Sequence, residues 1–426
     1  MTEQRKAFFP LLTVVFVDAL SFSIVLPILV YVVRDFGGND IIYGLLGATY
    51  PFFQLIGSPI LGNLSDKVGR RKVLIVSQAG TMLAWILFLT AFYLPKTLWF
   101  EAETGWLAGV AVTSSLVMAF ISFALDGLTG GNISVAQAYL ADISDERTRK
   151  RDYAKMGMAA GLGFVVGPAL AGMLAAGPLG YNTPVIAAIG ISMVCLGLLI
   201  FYLPNQQIAP RKAAAPPQEQ ENAQPRIRPL AFLRQPRIRF VLLLYFLVFL
   251  TMDIFFTAFP LYAETSLQWD ATTLGYFFVV LAGLLVVVQG PLMNWLSTRT
   301  DDEPLIWVGA VILMASFLCL LGNLEWLSWL SAVLFALGDG MLSPSLLSIV
   351  ARVAPKGYQG TVQGLAASAG GSASVLGLLA GGVLFNTFQA WVFVFPAAVL
   401  LVFWVCSLWL PRLRARAPVP SPEKPT

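Results

Sequence analysis

Apolar segments long enough to cross a membrane recur along the whole chain, and short polar connections separate them. Hydrophobic residues make up 57% of the sequence and charged residues 12%, against roughly 25% charged residues in soluble domains. Only helices and closed barrels satisfy their backbone hydrogen bonds inside a bilayer. A barrel needs polar alternation with a period of two, which these segments lack, so the sequence predicts an all-α membrane protein. Twelve transmembrane helices are predicted, at residues 8–33, 42–64, 73–94, 113–141, 152–176, 181–203, 238–263, 271–297, 304–322, 326–350, 358–386 and 389–410.

Basic residues are distributed unevenly among the predicted connections. If both termini are cytoplasmic, all but two of the 27 Lys and Arg residues lie on the cytoplasmic side, the exceptions being Arg34 and Lys96. This asymmetry follows the positive-inside rule. The net charge of +4 is therefore interpreted as a topology signal, and no nucleic-acid partner is expected. We expect an integral, multi-pass protein of a bacterial inner (plasma) membrane.

The composition changes abruptly between residues 204 and 237, where Pro, Gln, Ala and Arg replace most of the apolar residues. Such a segment cannot bury a core, so residues 204–237 are predicted to form a flexible cytoplasmic linker. The linker divides the chain into two predicted six-helix bundles, at residues 1–203 and 238–410. The polar segment 411–426 is predicted to be a disordered cytoplasmic tail.

The two halves share short similarities at equivalent positions. Phe-Ala-Leu-Asp-Gly at residues 123–127, in the fourth predicted span, recurs as Phe-Ala-Leu-Gly-Asp-Gly at residues 335–340, in the tenth. Asp18 in the first span and Asp253 in the seventh are each followed by aromatic residues and a proline. Internal similarity of this kind indicates a duplicated bundle.

Four acidic residues lie well inside predicted spans, where no Lys, Arg or His accompanies them. A charge at the bilayer centre costs about 2.5 to 3.5 kcal/mol, so these carboxyl groups need compensation. A water-filled cavity, protonation or a cationic ligand would supply it, and the alternative is a permanently protonated acid in a helix–helix hydrogen bond. The predicted proton-binding and substrate-binding residues are Asp18, Asp126, Asp253 and Asp339.

Polar and aromatic residues share helix faces with these acids. Ser21 and Phe22, for example, follow Asp18 by three and four residues. A mixture of carboxyl, hydroxyl and aromatic groups suits an amphipathic or cationic organic molecule, and ordinary interhelical packing is the alternative interpretation. The predicted lining of a substrate cavity consists of Phe22, Tyr50, Phe53, Gln54, Asn132, Gln137 and Phe256.

The fifth predicted span is rich in glycine. Glycines at four-residue spacing let helix backbones approach closely, and Pro168 removes a hydrogen-bond donor and bends the helix. The pattern predicts either a seam along which helices move or a static packing surface. The residues concerned are Gly163, Gly167, Pro168 and Gly172.

The sequence lacks the common patterns of enzymes and metal sites. It contains no histidine, its three cysteines lie inside predicted spans without metal-ligand spacing, and no Gly-x-Ser-x-Gly motif occurs. We therefore expect no enzymatic activity, no metal and no cofactor.

The connection between the second and third spans, Gly-Asn-Leu-Ser-Asp-Lys-Val-Gly-Arg-Arg at residues 62–71, resembles the loop signature of the major facilitator superfamily. Residues 163–172, Gly-Phe-Val-Val-Gly-Pro-Ala-Leu-Ala-Gly, are similar to the fifth-span signature of its drug:proton antiporters. Residues 18–27 and 138–147 are similar to the corresponding stretches of its tetracycline-efflux-like members. Together with the twelve spans and the linker, the resemblance covers nearly the whole chain.

The resemblance implies a two-bundle fold in which the first, fourth, seventh and tenth spans line a cavity that opens alternately to each side of the membrane. Each of these spans carries one of the four aspartates. In such a fold the 62–71 loop is a cytoplasmic gate, in which Asp66 meets the start of the eleventh span near Tyr358 and Arg70 reaches Asp142. The gate residues implied in this way are Gly62, Asp66, Gly69, Arg70, Arg71 and Asp142.

Two positions depart from the pattern of the resembled family. Its antiporters carry an arginine early in the fourth span, where this chain has Phe123. The equivalent loop of the second half has Asn294 where the acid of the signature would stand. The first departure puts the usual arginine-linked proton coupling in question, and the second predicts a one-sided gate.

The leading hypothesis is a monomeric secondary active transporter that exports a lipophilic or cationic small organic compound by proton antiport, with membrane lipid around it. The missing arginine favours an alternative, proton-coupled or facilitative transport of a neutral metabolite or lipid. A non-transporting receptor or assembly factor is a remote alternative, because the linker is too short to form a signalling domain. An anionic substrate is disfavoured, because the predicted spans offer no basic residue inside the membrane to pair with it.

Overall fold

The structure is a computed structural model that describes residues 3–101, 110–130, 132–143, 149–204, 229–355 and 358–411. Most of the predicted linker and nearly all of the predicted tail, residues 205–228 and 412–426, lie outside this described part of the chain.

Helices dominate the described residues. The α-helices are α1 (Glu3–Asp35), α2 (Asp40–Val68), α3 (Arg70–Ala91), α4 (Ser114–Thr129), α5 (Asn132–Ile143), α6 (Arg149–Ala175), α7 (Asn182–Tyr202), α8 (Pro236–Thr265), α9 (Ala271–Val287), α10 (Met293–Ser297), α11 (Asp302–Cys319), α12 (Glu325–Val353), α13 (Gln359–Phe388) and α14 (Val394–Ser407). Short 3-10 helices occupy Pro229–Arg234, Leu320–Gly322 and Gln389–Phe393, and a π-helical turn occupies Val288–Leu292.

Within the described residues, eleven helical segments are long and apolar enough to cross a membrane. The last of them, Gln359–Ser407, is 49 residues long and contains α13, a 3-10 helix and α14. A helix of about 20 residues already spans the hydrocarbon core. The chain is therefore an integral, multi-pass membrane protein built from helices, as its composition indicates.

A two-stranded antiparallel hairpin between α3 and α4 is an exception to the all-α prediction. Strand β1 (Leu98–Glu101) pairs with β2 (Ala111–Thr113), so that Phe100 lies opposite Val112. The Thr113 side chain then accepts a hydrogen bond from the Leu116 backbone and so caps α4.

Two predicted spans are interrupted. In the fourth, at residues 113–141, α4 ends at Thr129, Gly130 forms a turn, and α5 begins at Asn132; glycine disfavours continuation of the helix. The eighth, at residues 271–297, contains the π-helical turn at Pro291, which has no backbone N–H to continue the α-helical ladder. The first interruption lies in the turn that follows Asp126, so it shapes the candidate site.

The chain forms two compact units. Unit 1 contains residues 1–207 together with 256–282 and 378–389, and unit 2 contains 208–255, 283–377 and 390–426. The candidate cavity, the 62–71 loop and the glycine-rich helix α6 all belong to unit 1.

Close helix crossings hold the first part of unit 1 together. A Cβ atom on Gly57 would lie 2.3 Å from the Leu128 carbonyl oxygen, and one on Gly127 would lie 2.4 Å from the Tyr50 carbonyl oxygen. Helices α2 and α4 therefore touch backbone to backbone. This crossing brings the Tyr50 turn of α2 beside the Asp126 turn of α4.

Unit 1 also contains a buried apolar cluster at the end of its helices near the 62–71 loop. Its members come from α1, α2, α3, α5, α6 and α7 and from the residue after α7, and we refer to them as the apolar cluster. They are Leu11, Val14, Val15, Val17, Leu61, Val73, Leu74, Val135, Ala136, Tyr139, Leu140, Met156, Cys195, Leu199 and Leu203.

Unit 2 has comparable close crossings. Helices α11 and α12 approach at Gly309 and Gly338, where an added Cβ on Gly309 would lie 2.8 Å from the Gly338 carbonyl oxygen. Farther along the same pair, the Ser316 hydroxyl donates to the Ser331 carbonyl oxygen at 3.0 Å. Asp302 at the start of α11 accepts hydrogen bonds from Ser348 and Arg352 of α12.

Candidate functional site

A cavity in unit 1 encloses about 640 Å³ of space, including the part that is open at its mouth. The lining residues come from α1 to α4, α8 and α13. They are Ser21, Phe22, Val25, Leu26, Leu29, Tyr43, Gly47, Tyr50, Ala84, Trp85, Phe88, Ser122, Phe123, Asp126, Phe256, Thr257 and Leu378.

The cavity combines one carboxyl group with many aromatic rings. Among the described residues that line it, Asp126 is the only acid and none is basic. The position where the resembled antiporters have an arginine is part of the wall, since the Phe123 ring lies 5.5 Å from the Phe88 ring. A cavity of this kind favours a positively charged or uncharged aromatic molecule and disfavours an anion.

Hydrogen bonds fix the aromatic wall beside Asp126. The Gln54 amide donates to the Tyr50 hydroxyl at 2.9 Å and to the Gly130 carbonyl oxygen at 3.2 Å. Because Gly130 ends α4, Gln54 ties α2 to the break in the fourth span. The Phe22 ring lies 5.6 Å from the Tyr50 ring, which completes this wall.

Asp18 lies one helical turn below Ser21 and does not line the cavity, and its side chain is almost wholly buried, with 7% exposure. Its carboxyl group lies within electrostatic range of Asp126 and of the Tyr50 hydroxyl. The structure therefore brings together two of the four predicted carboxyl groups, one at the cavity wall and one beneath it.

The other two predicted carboxyl groups belong to unit 2. The Ser374 hydroxyl donates to Asp253 at 2.7 Å, where Gly377 lets α13 pack closely against α8. The Ser343 hydroxyl donates to Asp339 one turn along α12. Each carboxyl group thus has one hydroxyl donor, which fits either a protonated or a charged acid.

Four of the predicted lining residues lie elsewhere. Phe53 packs at the α2–α4 crossing against Gly127, and Gln54 forms the hydrogen bonds described above. Asn132 is buried, with 1% exposure, at the start of α5. Gln137 is exposed on α5. Of the predicted set, Phe22, Tyr50 and Phe256 line the cavity.

Trp85 and Phe88 line the cavity although the sequence analysis did not select them. They lie on one face of α3, and Gln78 and Thr81 continue that face toward the 62–71 loop. A glutamine and a threonine on one stripe inside an apolar span were the signal that could have identified this face.

Residues 62–71, which we continue to call the 62–71 loop, are almost wholly helical: α2 extends to Val68 and α3 begins at Arg70, so Gly69 alone forms the turn between them. Gly69 has φ 101°, which favours glycine, and its N–H donates to the Ser65 carbonyl oxygen at 3.1 Å. The Arg70 guanidinium pairs with Asp66 at 3.2 Å, and Arg71 donates to the Ile200 carbonyl oxygen of α7. The side chain of Asp142, the implied partner of Arg70, lies outside the described part of the structure.

An added Cβ on Gly62 would meet no atom within 4 Å. The predicted contact of Asp66 with the start of the eleventh span stays a prediction, as do the gating roles of the six loop residues.

The glycines of α6 pack against two different helices. An added Cβ on Gly163 would lie 2.5 Å from the Phe16 carbonyl oxygen of α1. Farther along, Gly172 meets Gly275 of α9, with 3.2 Å between the added Cβ and the Gly275 Cα, and the Pro168 carbonyl oxygen faces the same glycine. The glycines of α6 therefore allow backbone contact with α1 at Gly163 and with α9 at Gly172.

We expect the substitution Gly167→Ala to destabilise the protein. The new Cβ would lie 2.0 Å from the Ser23 hydroxyl and 2.8 Å from the Ile24 backbone nitrogen, so helix α1 would have to shift. Overpacking of this kind costs about 1–3 kcal/mol. Thermal unfolding in detergent should show a melting temperature several degrees lower, whereas Gly161→Ala, where an added Cβ meets open space, should change it little. Equal melting temperatures for the two variants would contradict the tight α1–α6 crossing.

Ionic and aromatic contacts join α1 and α2 to α8 and α9 at the end of unit 1 opposite the 62–71 loop. Arg34 pairs with Asp40 and, at 3.4 Å, with Glu264 of α8. The Tyr31 hydroxyl donates to the Trp269 carbonyl oxygen at 2.6 Å. We refer to these residues as the Arg34 contact.

The first turn of α9 lies beside this contact and carries its own cap. Asp270 accepts hydrogen bonds from the Thr273 hydroxyl at 2.6 Å and from the Thr273 backbone N–H at 2.9 Å. These bonds hold the pKa of the Asp270 carboxyl group below its ordinary value, because they stabilise the charged form. A charged cap then stabilises the start of α9.

Membrane-crossing helices that surround a cavity lined mainly by apolar and aromatic residues are typical of a transporter of small molecules. The chain belongs to the Major Facilitator Superfamily, whose sequence profile matches residues 11–378 and 290–426. Members of this superfamily bind small-molecule substrates, generally together with coupled ions.

Individual relatives agree with this assignment. The chain is 26% identical to the class H tetracycline resistance protein of Pasteurella multocida over 414 residues, which cover 95% of this chain and 92% of that protein. Its fold is similar to that of a D-xylose-proton symporter, with a TM-score of 0.73, 14% identity and 96% coverage of each chain. It is also similar to the human organic anion transporter MFSD10, with a TM-score of 0.64, 20% identity, and coverage of 96% of this chain and 100% of that one.

Proposed function

We propose that this protein is a secondary active transporter that exports a lipophilic or cationic small organic compound in exchange for protons. The observation that carries the proposal is the cavity in which Asp126 is the only ionisable acid among described lining residues that are otherwise apolar, aromatic or hydroxyl-bearing. The similarity to a tetracycline resistance protein over nearly the whole chain supports export of a drug-like molecule.

The proposed coupling uses competition for negative charge. A cation in the cavity and a proton on Asp126 each neutralise the same carboxyl group, so that binding of one disfavours the other. Asp18 lies within electrostatic range of Asp126 and takes part in the same competition. We assign Asp253 and Asp339 of unit 2 to proton or substrate binding on the weaker ground that they are intramembrane carboxyl groups.

Alternating access requires closure at each end of the cavity. We propose that the Arg34 contact closes the outer end and has to open when the substrate leaves. Arg34 is one of the two basic residues that the positive-inside rule places outside the cell. The 62–71 loop, whose Asp66–Arg70 pair and Gly69 turn are described above, is the proposed gate at the cytoplasmic end.

The proposed topology has twelve crossings. Because the apolar segment Gln359–Ser407 is about twice the length that one crossing needs, we propose that α13 and α14 cross separately. An even number of crossings places both termini on the same side of the membrane, and the distribution of basic residues identifies that side as the cytoplasm. We further propose a monomer in a bacterial inner membrane, with bundles at residues 1–203 and 238–410 joined by the linker.

A second candidate function is proton-coupled or facilitative transport of a neutral metabolite or lipid. Phe123 favours it, since an aromatic ring lines the cavity where the resembled antiporters have an arginine. An uncharged substrate would use the aromatic wall and the hydroxyl groups of Ser21 and Thr257 rather than the charge of Asp126.

A panel of matched ligands separates the two functions. Binding to the purified protein would be measured for a planar aromatic cation, an uncharged analogue of the same size and an aromatic carboxylate. We expect the cation to bind most tightly and the carboxylate least. Preferred binding of the uncharged analogue would favour the second function, and preferred binding of the carboxylate would contradict both.

A further inference from the structure

Three elements of unit 1 pass through the same three levels in the same order, and helix α7 passes through the last two of them. Going along α1 from the cavity toward the apolar cluster, the chain passes from Ser21 in the cavity lining to Asp18 and then to Val14 of the cluster. On α3 the cavity residue Trp85 is followed by Gln78 and then by Leu74.

The pair α4–α5 repeats this order, and helix α7 shares its last two levels. Asp126 lines the cavity, Asn132 follows the helix break, and Val135 belongs to the apolar cluster. On α7, Ser192 lies one turn before Cys195, which belongs to the same cluster. A level of polar residues therefore lies between the cavity and the apolar cluster. We call it the polar layer; its members are Asp18, Gln78, Thr81, Asn132 and Ser192.

Most of the polar layer lacks hydrogen-bond partners. Both amide atoms of Gln78, both amide atoms of Asn132 and the Ser192 hydroxyl group have no partner among the described residues. The three side chains are at most 1% exposed. A buried polar atom without a partner costs roughly 1–3 kcal/mol, so five such atoms at one level indicate a ligand that pairs with them.

The chemistry of these atoms identifies the ligand. Each amide offers a donor and an acceptor, and the hydroxyl offers both. A metal ion would bind the oxygens and leave both amide nitrogens unpaired, whereas water donates and accepts equally. The apolar cluster beneath the layer would confine the water to this level.

We propose that the polar layer binds a small group of water molecules that carries protons between Asp126 at the cavity wall and Asp18 beneath it. This inference rests on the proposed proton coupling. A protonated Asp18 gives its proton to the water, and the water gives a proton to the Asp126 carboxylate. Asp18 becomes a carboxylate and Asp126 a carboxylic acid, so no other reactant is needed.

The relay assigns different roles to the two acids. Asp126 lines the cavity and meets the substrate, while Asp18 is buried and lies outside the lining. The other titratable groups within electrostatic range are the Tyr50 hydroxyl, near both acids, and the Cys195 thiol, near Asp18. The side chains of Gln78 and Asn132 are positioning residues, since they hold the water and exchange no proton themselves.

The test replaces the amides by apolar side chains of similar size, in Gln78→Met and Asn132→Leu. Two activities would be measured in the same proteoliposomes: uptake of a radiolabelled quaternary aromatic cation driven by an acidic interior, and exchange of labelled for unlabelled cation without a gradient. Exchange needs no net proton transfer. The ratio of the two activities does not depend on the amount of folded protein, so partial misfolding does not obscure the result.

We expect both variants to lower this ratio at least tenfold while the exchange rate per folded molecule stays within twofold of wild type. The matched control Gln289→Met, at an exposed position in unit 2, should leave the ratio unchanged. A wild-type ratio in both variants, or an equal fall in the control, would overturn the relay. If uptake by the wild type is independent of the pH gradient, the proposed proton coupling is wrong. That outcome is distinct from a failure of the relay, which the two variants test.

Discussion

Replacing Asp126 by asparagine is expected to weaken the binding of a cationic substrate by about 30-fold or more. Removing one partner of a buried charge pair costs about 2–5 kcal/mol, and each 1.4 kcal/mol corresponds to about tenfold in affinity. No other carboxyl group in the lining can replace Asp126 as the partner of the cation, because Asp126 is the only acid among the described lining residues. Equilibrium binding of a permanently charged aromatic cation to the purified variant measures the effect.

The same variant should also change the pH dependence of binding. In the wild type, cation affinity should rise with pH as Asp126 loses its proton, because only the carboxylate attracts the cation. The asparagine amide does not gain or lose a proton over the pH range of the measurement, so the affinity of the variant should depend far less on pH. Asp152→Asn, a matched control in a partly buried ion pair with Lys155, should keep the wild-type profile. Wild-type affinity in Asp126→Asn would exclude the carboxyl group as the cation site.

The second large effect is expected at the 62–71 loop, where Asp66→Asn should slow transport about tenfold and change substrate affinity less than about twofold. Asp66 lies outside the cavity lining and its side chain is 66% exposed. An exposed ion pair such as Asp66–Arg70 contributes only about 0.2–1 kcal/mol to stability, so the fold should persist. The tenfold effect therefore depends on the proposed contact of Asp66 with the start of the eleventh span, whose loss would have to shift the balance between the two access states by about 1.4 kcal/mol.

Transport rate and equilibrium binding of the Asp66→Asn variant, measured on one preparation, separate gating from binding. Glu101→Gln, at an exposed position on strand β1, is the matched control and should transport normally. If Asp66→Asn weakens binding and transport in equal proportion, the loop is not a gate in the proposed sense.

The helical membrane fold was predictable from the sequence. In lipid, each apolar segment has to form all of its backbone hydrogen bonds internally, and a helix does so. The Gly62–Arg71 motif and the position of Asp126 in the fourth span were likewise identified from short sequence patterns. The break after Thr129 was not, because a Gly-Gly pair is tolerated in many membrane helices. Only the close packing of α2 on α4 and the hydrogen bond from Gln54 to Gly130 show how the broken ends are held.

Residues far apart in sequence account for most of what the sequence did not predict. Arg34 was identified as an outer residue, but its pairing with Glu264 joins positions separated by 230 residues. The selection of cavity residues in α2 failed to distinguish Tyr50 from Phe53, because both lie near α4 and only the exact crossing decides which one faces the cavity. Gln78 was not predicted, because α3 contains no acidic residue that would mark its polar face.

Proton-coupled export is the central claim, and transport by the purified protein in liposomes tests it most directly. Liposomes with an acidic interior would receive a quaternary aromatic cation outside, whose fixed charge prevents passive accumulation as a weak base. We predict uptake that requires the protein and the pH gradient, collapses when a protonophore is added, and is lost in Asp126→Asn. Uptake that proceeds equally well without a pH gradient would contradict the claim.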